Sequence, residues 1–176
     1  MKIPIHHICH SMANGPGYRL VIWVQGCKFK CKNCFNPDTH DFNKGILYDI
    51  DSLVRMSHDV KSIDGITLSG GEPLEYVDQL LYLLGKIDSQ ITTILYSGYN
   101  LNEILQDEKK KELIKKVDLS ILGRYNDCLS HPYEGKTFVR STNRIDMDYF
   151  TNPNRIEYAI NSSTITKTGI FKTVQI

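Results

Sequence analysis

Cys27, Cys31 and Cys34 fall within one short stretch, Gly26-Cys27-Lys28-Phe29-Lys30-Cys31-Lys32-Asn33-Cys34-Phe35-Asn36. Three thiolates at this CxxxCxxC spacing can hold three corners of an iron–sulfur cube from a single loop. The fourth iron then has no protein ligand and is open to a substrate, whereas a closed structural site needs a fourth ligand. Three close thiolates also suit zinc, with His40 or a further cysteine completing the set, and the spacing alone does not separate the two metals. An open cluster points to chemistry and a closed site to architecture.

Ser69-Gly70-Gly71-Glu72-Pro73 is the second constellation. Adjacent glycines present main-chain carbonyls and amides to a small polar ligand without side-chain clash. A carboxylate beside them can hold an ammonium group. A helix begun at Pro73 would turn its positive end towards a ligand's carboxylate. The same string also reads as an ordinary strand-to-helix turn. Ser97-Gly98-Tyr99 offers a hydroxyl and a close-approach glycine suited to a sugar hydroxyl, and Gly123-Arg124-Tyr125 has a similar form; each alone is equally an ordinary loop. His6, His7 and His10 read as part of a surface strand rather than a metal site.

The elements that must position these groups follow from patterning. Leu20-Val21-Ile22-Trp23-Val24 is a continuous apolar run ending at Gly26, as in a strand buried on both faces. Residues 50–61 suit a helix with Leu53, Val54 and Met56 as its apolar stripe, and 65–68 a strand that ends in Ser69-Gly70-Gly71. A helix from Pro73 carries Leu74, Val77, Leu80, Leu81 and Leu84 at helical spacing. Residues 91–96 form the next strand. Asn100 with Glu103 resembles a capping box opening a helix to about residue 116, and 117–122 is a further strand. Strands alternating with helices imply parallel βα units. In the tail, 137–140, 155–160 and 164–166 read as short strands.

Each chemistry-bearing loop thus follows a strand, and in a parallel α/β sheet or barrel such loops share one rim. A full eight-unit barrel takes about 250 residues. The 176 residues here predict α/β architecture with an open, partial TIM-like barrel of parallel βα units and a short β-rich C-terminal tail, in one domain spanning 1–176.

Composition removes other classes. A formal charge of +1 with 23% charged residues provides no field for nucleic acid or an anionic membrane. The run Glu108-Lys109-Lys110-Lys111-Glu112 reads as a solvated helix face. The first residues lack the apolar stretch of a signal peptide, and no segment approaches membrane-spanning length. Five cysteines, three of them clustered, suit reduced cytoplasmic metal-binding thiols better than disulfides. Cys9 and Cys128 read as buried small hydrophobes.

CxxxCxxC after one strand, combined with Gly-Gly-Glu-Pro after a later one, resembles the radical S-adenosylmethionine superfamily. Asn14-Gly15-Pro16-Gly17-Tyr18-Arg19, Gln25-Gly26-Cys27 and Cys34-Phe35-Asn36-Pro37-Asp38-Thr39 are similar to the activating proteins of glycyl-radical enzymes. Among these the chain most resembles the activators of anaerobic ribonucleotide reductase. Tyr96-Ser97-Gly98-Tyr99, Gly123-Arg124-Tyr125 and Thr166-Lys167-Thr168-Gly169 extend the likeness over nearly the whole chain.

The resemblance implies a [4Fe-4S] cluster on Cys27, Cys31 and Cys34, with the amine and carboxylate of S-adenosylmethionine on the fourth iron. It implies that Ser69, Gly70, Gly71 and Glu72 receive the amine. Asn33 and Phe35 would lie near the adenine, and Ser97 and Gly98 near the ribose or carboxylate. The implied activity is reductive cleavage of S-adenosylmethionine to a 5′-deoxyadenosyl radical, which takes a hydrogen atom from a glycine of a partner glycyl-radical enzyme. A flavodoxin- or ferredoxin-type protein would supply the electron. Two other readings remain: a single-cluster radical enzyme modifying a peptide, nucleoside or small metabolite, and a non-catalytic zinc- or cluster-bearing module. The missing glycine in Arg140-Ser141-Thr142-Asn143-Arg144 and Leu122 ahead of Gly123-Arg124 depart from the activators in the part expected to face substrate.

Overall fold

A computed structural model describes residues 1–59, 63–129, 133–151, 155–160 and 165–170. A seven-stranded sheet runs β3-β1-β2-β4-β5-β6-β7, with β1 at Lys2–Ser11, β2 at Arg19–Val24, β3 at Ile46–Asp49, β4 at Gly65–Gly70, β5 at Thr92–Ser97, β6 at Leu119–Leu122 and β7 at Thr137–Arg140. Four helices lie between strands: α1 at Ile50–Asp59, α2 at Val77–Leu84, α3 at Leu101–Leu105 and α4 at Glu108–Lys116. A separate two-stranded antiparallel sheet pairs β8, Arg155–Ile160, with β9, Ile165–Ile170.

The sheet is parallel only across its inner strands β2, β4, β5 and β6. β1 pairs antiparallel with both β2 and β3, and β7 antiparallel with β6. The expected α/β class is present as a mixed sheet with a parallel centre, and strand pairing among the described residues does not define a barrel. The cause is connection length. Parallel neighbours need a crossover of about a dozen residues, usually helical. The segment between Ser11 and Arg19 is too short for one, and the longer return from β6 to β7 contains no helix among the described residues.

Alternation along the strands divides the interior. Leu20, Ile22 and Val24 of β2, Ile66 and Leu68 of β4 and Leu95 of β5 pack with Leu53, Leu80, Leu83, Ile104 and Leu113 from the helices. The opposite face carries Ile94, Leu119 and Ile121, which pack with Tyr133, Tyr149 and Phe150. Arg19 is fully buried there and pairs with no carboxylate among the described residues. Its five donors instead reach Thr67 Oγ1, Thr92 Oγ1 and the carbonyls of Pro16, Ile66 and Thr92, which join the starts of β2, β4 and β5.

Several local expectations change. The surface strand expected around His6, His7 and His10 is β1, whereas β3 has no counterpart in the sequence pattern. Pro73 opens a three-residue 3₁₀ turn, Pro73–Glu75, and α2 begins only at Val77, so no long-helix N-terminus faces the two glycines. The expected 100–116 helix is two helices. The Asn100–Glu103 capping box opens α3, and the Asp107 carboxylate accepts from the Lys109 and Lys110 amides to start α4. Cys128 is exposed and Cys9 half-buried, so neither is the buried hydrophobe expected. Residues 60 and 61 and Thr164, assigned above to a helix and a strand, lie outside the described residues.

Candidate active site

The cysteine loop leaves β2 through Gln25, which is almost fully buried. Its Nε2 donates to the carbonyls of Asp38 and Asp41, and its own carbonyl accepts from the Tyr76 hydroxyl. The Gly26 and Cys27 amides donate to the Thr39 and His40 carbonyls at 2.7 and 3.2 Å. Both ends of the loop are thereby pinned together. Within it, Lys30 (φ 45°) and Asn33 (φ 52°) adopt the left-handed conformation, rare for residues with a Cβ. The Cys34 amide closes a turn on the Cys31 carbonyl at 3.2 Å.

Opposite stand the ends of β4 and β5. The Gly71 and Glu72 amides donate to the Val24 and Gly26 carbonyls, both at 2.8 Å, so this loop is hydrogen-bonded to the base of the cysteine loop. A Cβ on Gly71 would stand 2.2 Å from the Gly26 carbonyl oxygen, and one on Gly98 2.6 Å from the Phe29 ring. What approaches these two glycines is thus the cysteine loop itself.

Glu72 is completely buried. Its Oε1 accepts from the Leu74 amide at 2.8 Å and the Ser97 hydroxyl at 2.9 Å; its Oε2 accepts from the Gly98 amide at 2.7 Å. Burial pushes its pKa up from the ordinary carboxylate range to about 7, against the pull of those three donors. The residue is a brace between two strand ends, a role the sequence reading did not assign.

Ten of the eleven residues nominated from sequence line one cavity: Cys27, Cys31, Cys34, Phe35, Ser69, Gly70, Gly71, Glu72, Ser97 and Gly98. Asn33 is not among the lining residues, and its side chain donates to Asp127. The hydrogen-bonding groups of Ser97 and Gly98 are turned to Glu72, and the Gly98 carbonyl also accepts from Arg124. The structure adds Tyr96, Tyr125, Tyr133 and Lys136 to the lining. Tyr96 could have been anticipated, since it lies two residues beyond Ile94 on the same strand face; Tyr133 and Lys136 sit in the irregular return between β6 and β7, which has no periodicity to read.

Arg124 links both sides. Its guanidinium lies 3.7 Å from the Phe29 ring centroid, between two of the cysteines in sequence, and forks onto Glu103 at 2.8 and 3.0 Å. Phe29 also meets Tyr99 edge-on, and Lys28 pairs with Glu75 at 3.1 Å.

The donor set fits an iron–sulfur cluster. All five cysteines are free thiols, and three of them share one cavity. Burial pushes the Cys27 and Cys34 thiols up, so metal binding there displaces protons. Among the described residues no three His, Cys, Asp or Glu side chains gather closely enough for a single ion. Thiolates spread around a cavity match a cube that takes one per iron.

Residues 13–145 match the family model of the 4Fe-4S single cluster domain, which defines the class as an iron–sulfur protein with one cluster. The chain is 35% identical over 126 residues to the anaerobic ribonucleoside-triphosphate reductase-activating protein of Enterobacteria phage T4, covering 68% of this chain and 78% of that one. It is 30% identical over 124 residues to the protein of that name in Haemophilus influenzae, covering 65% and 79%. In Escherichia coli K12 the figures are 27% over 131 residues, 69% and 84%. The solved structure of QueE from Escherichia coli aligns with a TM-score of 0.47 at 14% identity, over 56% of this chain and 53% of that one. The chain belongs to the family of anaerobic ribonucleoside-triphosphate reductase-activating proteins, radical S-adenosylmethionine enzymes that carry a [4Fe-4S] cluster.

Proposed function

We propose that this enzyme uses S-adenosylmethionine to place a radical on a glycine of an anaerobic ribonucleoside-triphosphate reductase. The supporting observation is the shared cavity, which Cys27, Cys31 and Cys34 line together with the Ser69–Gly71 backbone; His40, the alternative zinc ligand, lines it too. Cys27, Cys31 and Cys34 hold the cluster. Bound there and reduced, the cluster would supply the one electron for cleavage of the S-adenosylmethionine sulfonium to methionine and a 5′-deoxyadenosyl radical, which would take a hydrogen atom from a glycine Cα of the partner to give 5′-deoxyadenosine.

The chain's own residues bind and orient. Because the Gly71 and Glu72 amides are used internally, the 69–71 backbone meets a ligand's ammonium with carbonyl oxygen. Glu72 holds that backbone against Ser97 and Gly98 instead of meeting the amine itself. Phe35 and Tyr125, edge to face with centroids 5.4 Å apart, form an aromatic side suited to adenine. Phe29, Tyr96, Ile121 and Tyr133 complete a wall that excludes water from a reactive species. We take the chain to work as one domain, 1–176, in the cytoplasm, where thiols stay reduced, with a flavodoxin- or ferredoxin-type electron donor.

The test is anaerobic reconstitution of the cluster followed by mixing with S-adenosylmethionine, a reductant and the reductase, read by electron paramagnetic resonance. A glycyl doublet on the reductase, absent with Cys31→Ala, is expected. 5′-Deoxyadenosine formed without that doublet would transfer the activity to a peptide, nucleoside or small metabolite.

A further inference from the structure

Lys136 is a cation that forms no ion pair among the described residues. It follows Gly135, whose φ of +70° turns the chain back towards the cavity. Its Nζ donates to the carbonyls of Gly123 at 2.5 Å and Arg124 at 2.6 Å. Gly123 sits at φ +124°, and a Cβ there would touch the Lys136 Cδ at 3.6 Å. Two glycines in the left-handed region therefore shape the seat of one lysine. The side chain is half-buried in the cavity wall that also carries Cys31.

Carbonyl oxygens orient an ammonium but do not neutralise it, and no carboxylate among the described residues pairs with this one. Burial accordingly pulls its pKa down. An ammonium has three donors, two of which are used here. Among the residues that line the cavity Lys136 is the one lysine or arginine, and Ser97 and the Gly98 amide are committed to Glu72, as the nearby Arg124 fork is to Glu103.

We infer that Lys136 binds the carboxylate of the methionine end of S-adenosylmethionine and is the specificity-determining contact for that charge. The inference rests on the function proposed above. It makes the cavity complementary at both ends of the amino-acid portion, with carbonyl oxygen from residues 69–71 for the ammonium and a cation for the carboxylate. A charge-assisted hydrogen bond at a desolvated site is among the strong ones, so its loss is a large effect.

The test is equilibrium dialysis of the cluster-loaded protein against S-adenosylmethionine and against 5′-methylthioadenosine, which shares the nucleoside and lacks the amino-acid end. In Lys136→Met, affinity for S-adenosylmethionine is expected to fall on the order of tenfold or more, while affinity for 5′-methylthioadenosine stays unchanged. Lys136→Arg, which keeps the charge, should retain most of the affinity. Equal losses for both ligands would make Lys136 structural and overturn the inference. So would unchanged affinity for S-adenosylmethionine, or a shift in the cluster's reduction potential without loss of binding. Failure of the unsubstituted holoprotein to bind S-adenosylmethionine would instead sink the proposed function.

Discussion

The two walls of the cavity are held in opposite ways. The cysteine wall is a loop pinned at its ends, with two non-glycine residues in the left-handed region and its middle held by side chains, Phe29 under Arg124 and Asn33 on Asp127. The facing wall is strand-end backbone locked by a buried carboxylate with three donors. On the proposed function, one wall admits a cluster and loses protons as it does so. The other must be in place beforehand, because it measures the ligand. Preorganisation is concentrated where no metal supplies it.

The comparison breaks most completely at Gly71→Ala, where the added methyl would meet the Gly26 carbonyl 2.2 Å away and drive the walls apart. Overpacking against backbone is expected to cost about 3 kcal/mol or more, with iron content falling alongside the melting temperature. Normal iron loading at an unchanged melting temperature would show that the walls do not depend on that contact.

Glu72→Gln sharpens the contrast by touching only the braced wall. A destabilisation of about 2 kcal/mol is expected, with S-adenosylmethionine binding weakened and iron content retained. Equal loss of iron would make the brace part of the cluster site. The brace also carries a pH signature. Its pKa is raised to about 7, so between the unfolded value and 7 folding takes up a proton. This group's stabilisation is full below the ordinary glutamate pKa and is lost as pH rises through 7. Thermal scans from pH 5.5 to 8.5 should show that decline in the unsubstituted protein and not in the glutamine variant.

Arg124→Met is the mildest test, since the Arg124–Glu103 pair is partly exposed and screened. About 1 kcal/mol is expected from the lost ring contact and ion pair, with iron content unchanged. A larger effect on cluster assembly than on melting would mean that Arg124 holds the cysteine loop in shape.

Much of this was readable from sequence where the signal is local. The cysteine spacing, the runs at β2, β4, β5 and β6 and the capping box at Asn100 depend on neighbours along the chain, and the structure keeps them. Asp107 carried a second cap in plain view within an otherwise continuous helical pattern. Antiparallel pairing at both flanks was not legible, because β1 and β7 find their places through connections that have no pattern. Glu72 was read as a ligand group because a carboxylate beside two glycines suggests an ammonium. Beside the local Leu74 amide, its partners are Ser97 and Gly98, 25 and 26 residues away, a separation that periodicity cannot report. Lys136 was invisible for the same reason.

Gly71 and Gly98 make the cysteine loop's path a matter of inheritance as well as geometry. Each stands where a side chain would strike that loop, Gly71 at its root and Gly98 at the ring of Phe29. Changes in the loop and changes at these distant positions are therefore not independent: a lineage that replaced Phe29 with a small residue would gain room at Gly98 that this one lacks. The shape of the metal loop is thus also encoded in the residues forbidden on the strands facing it.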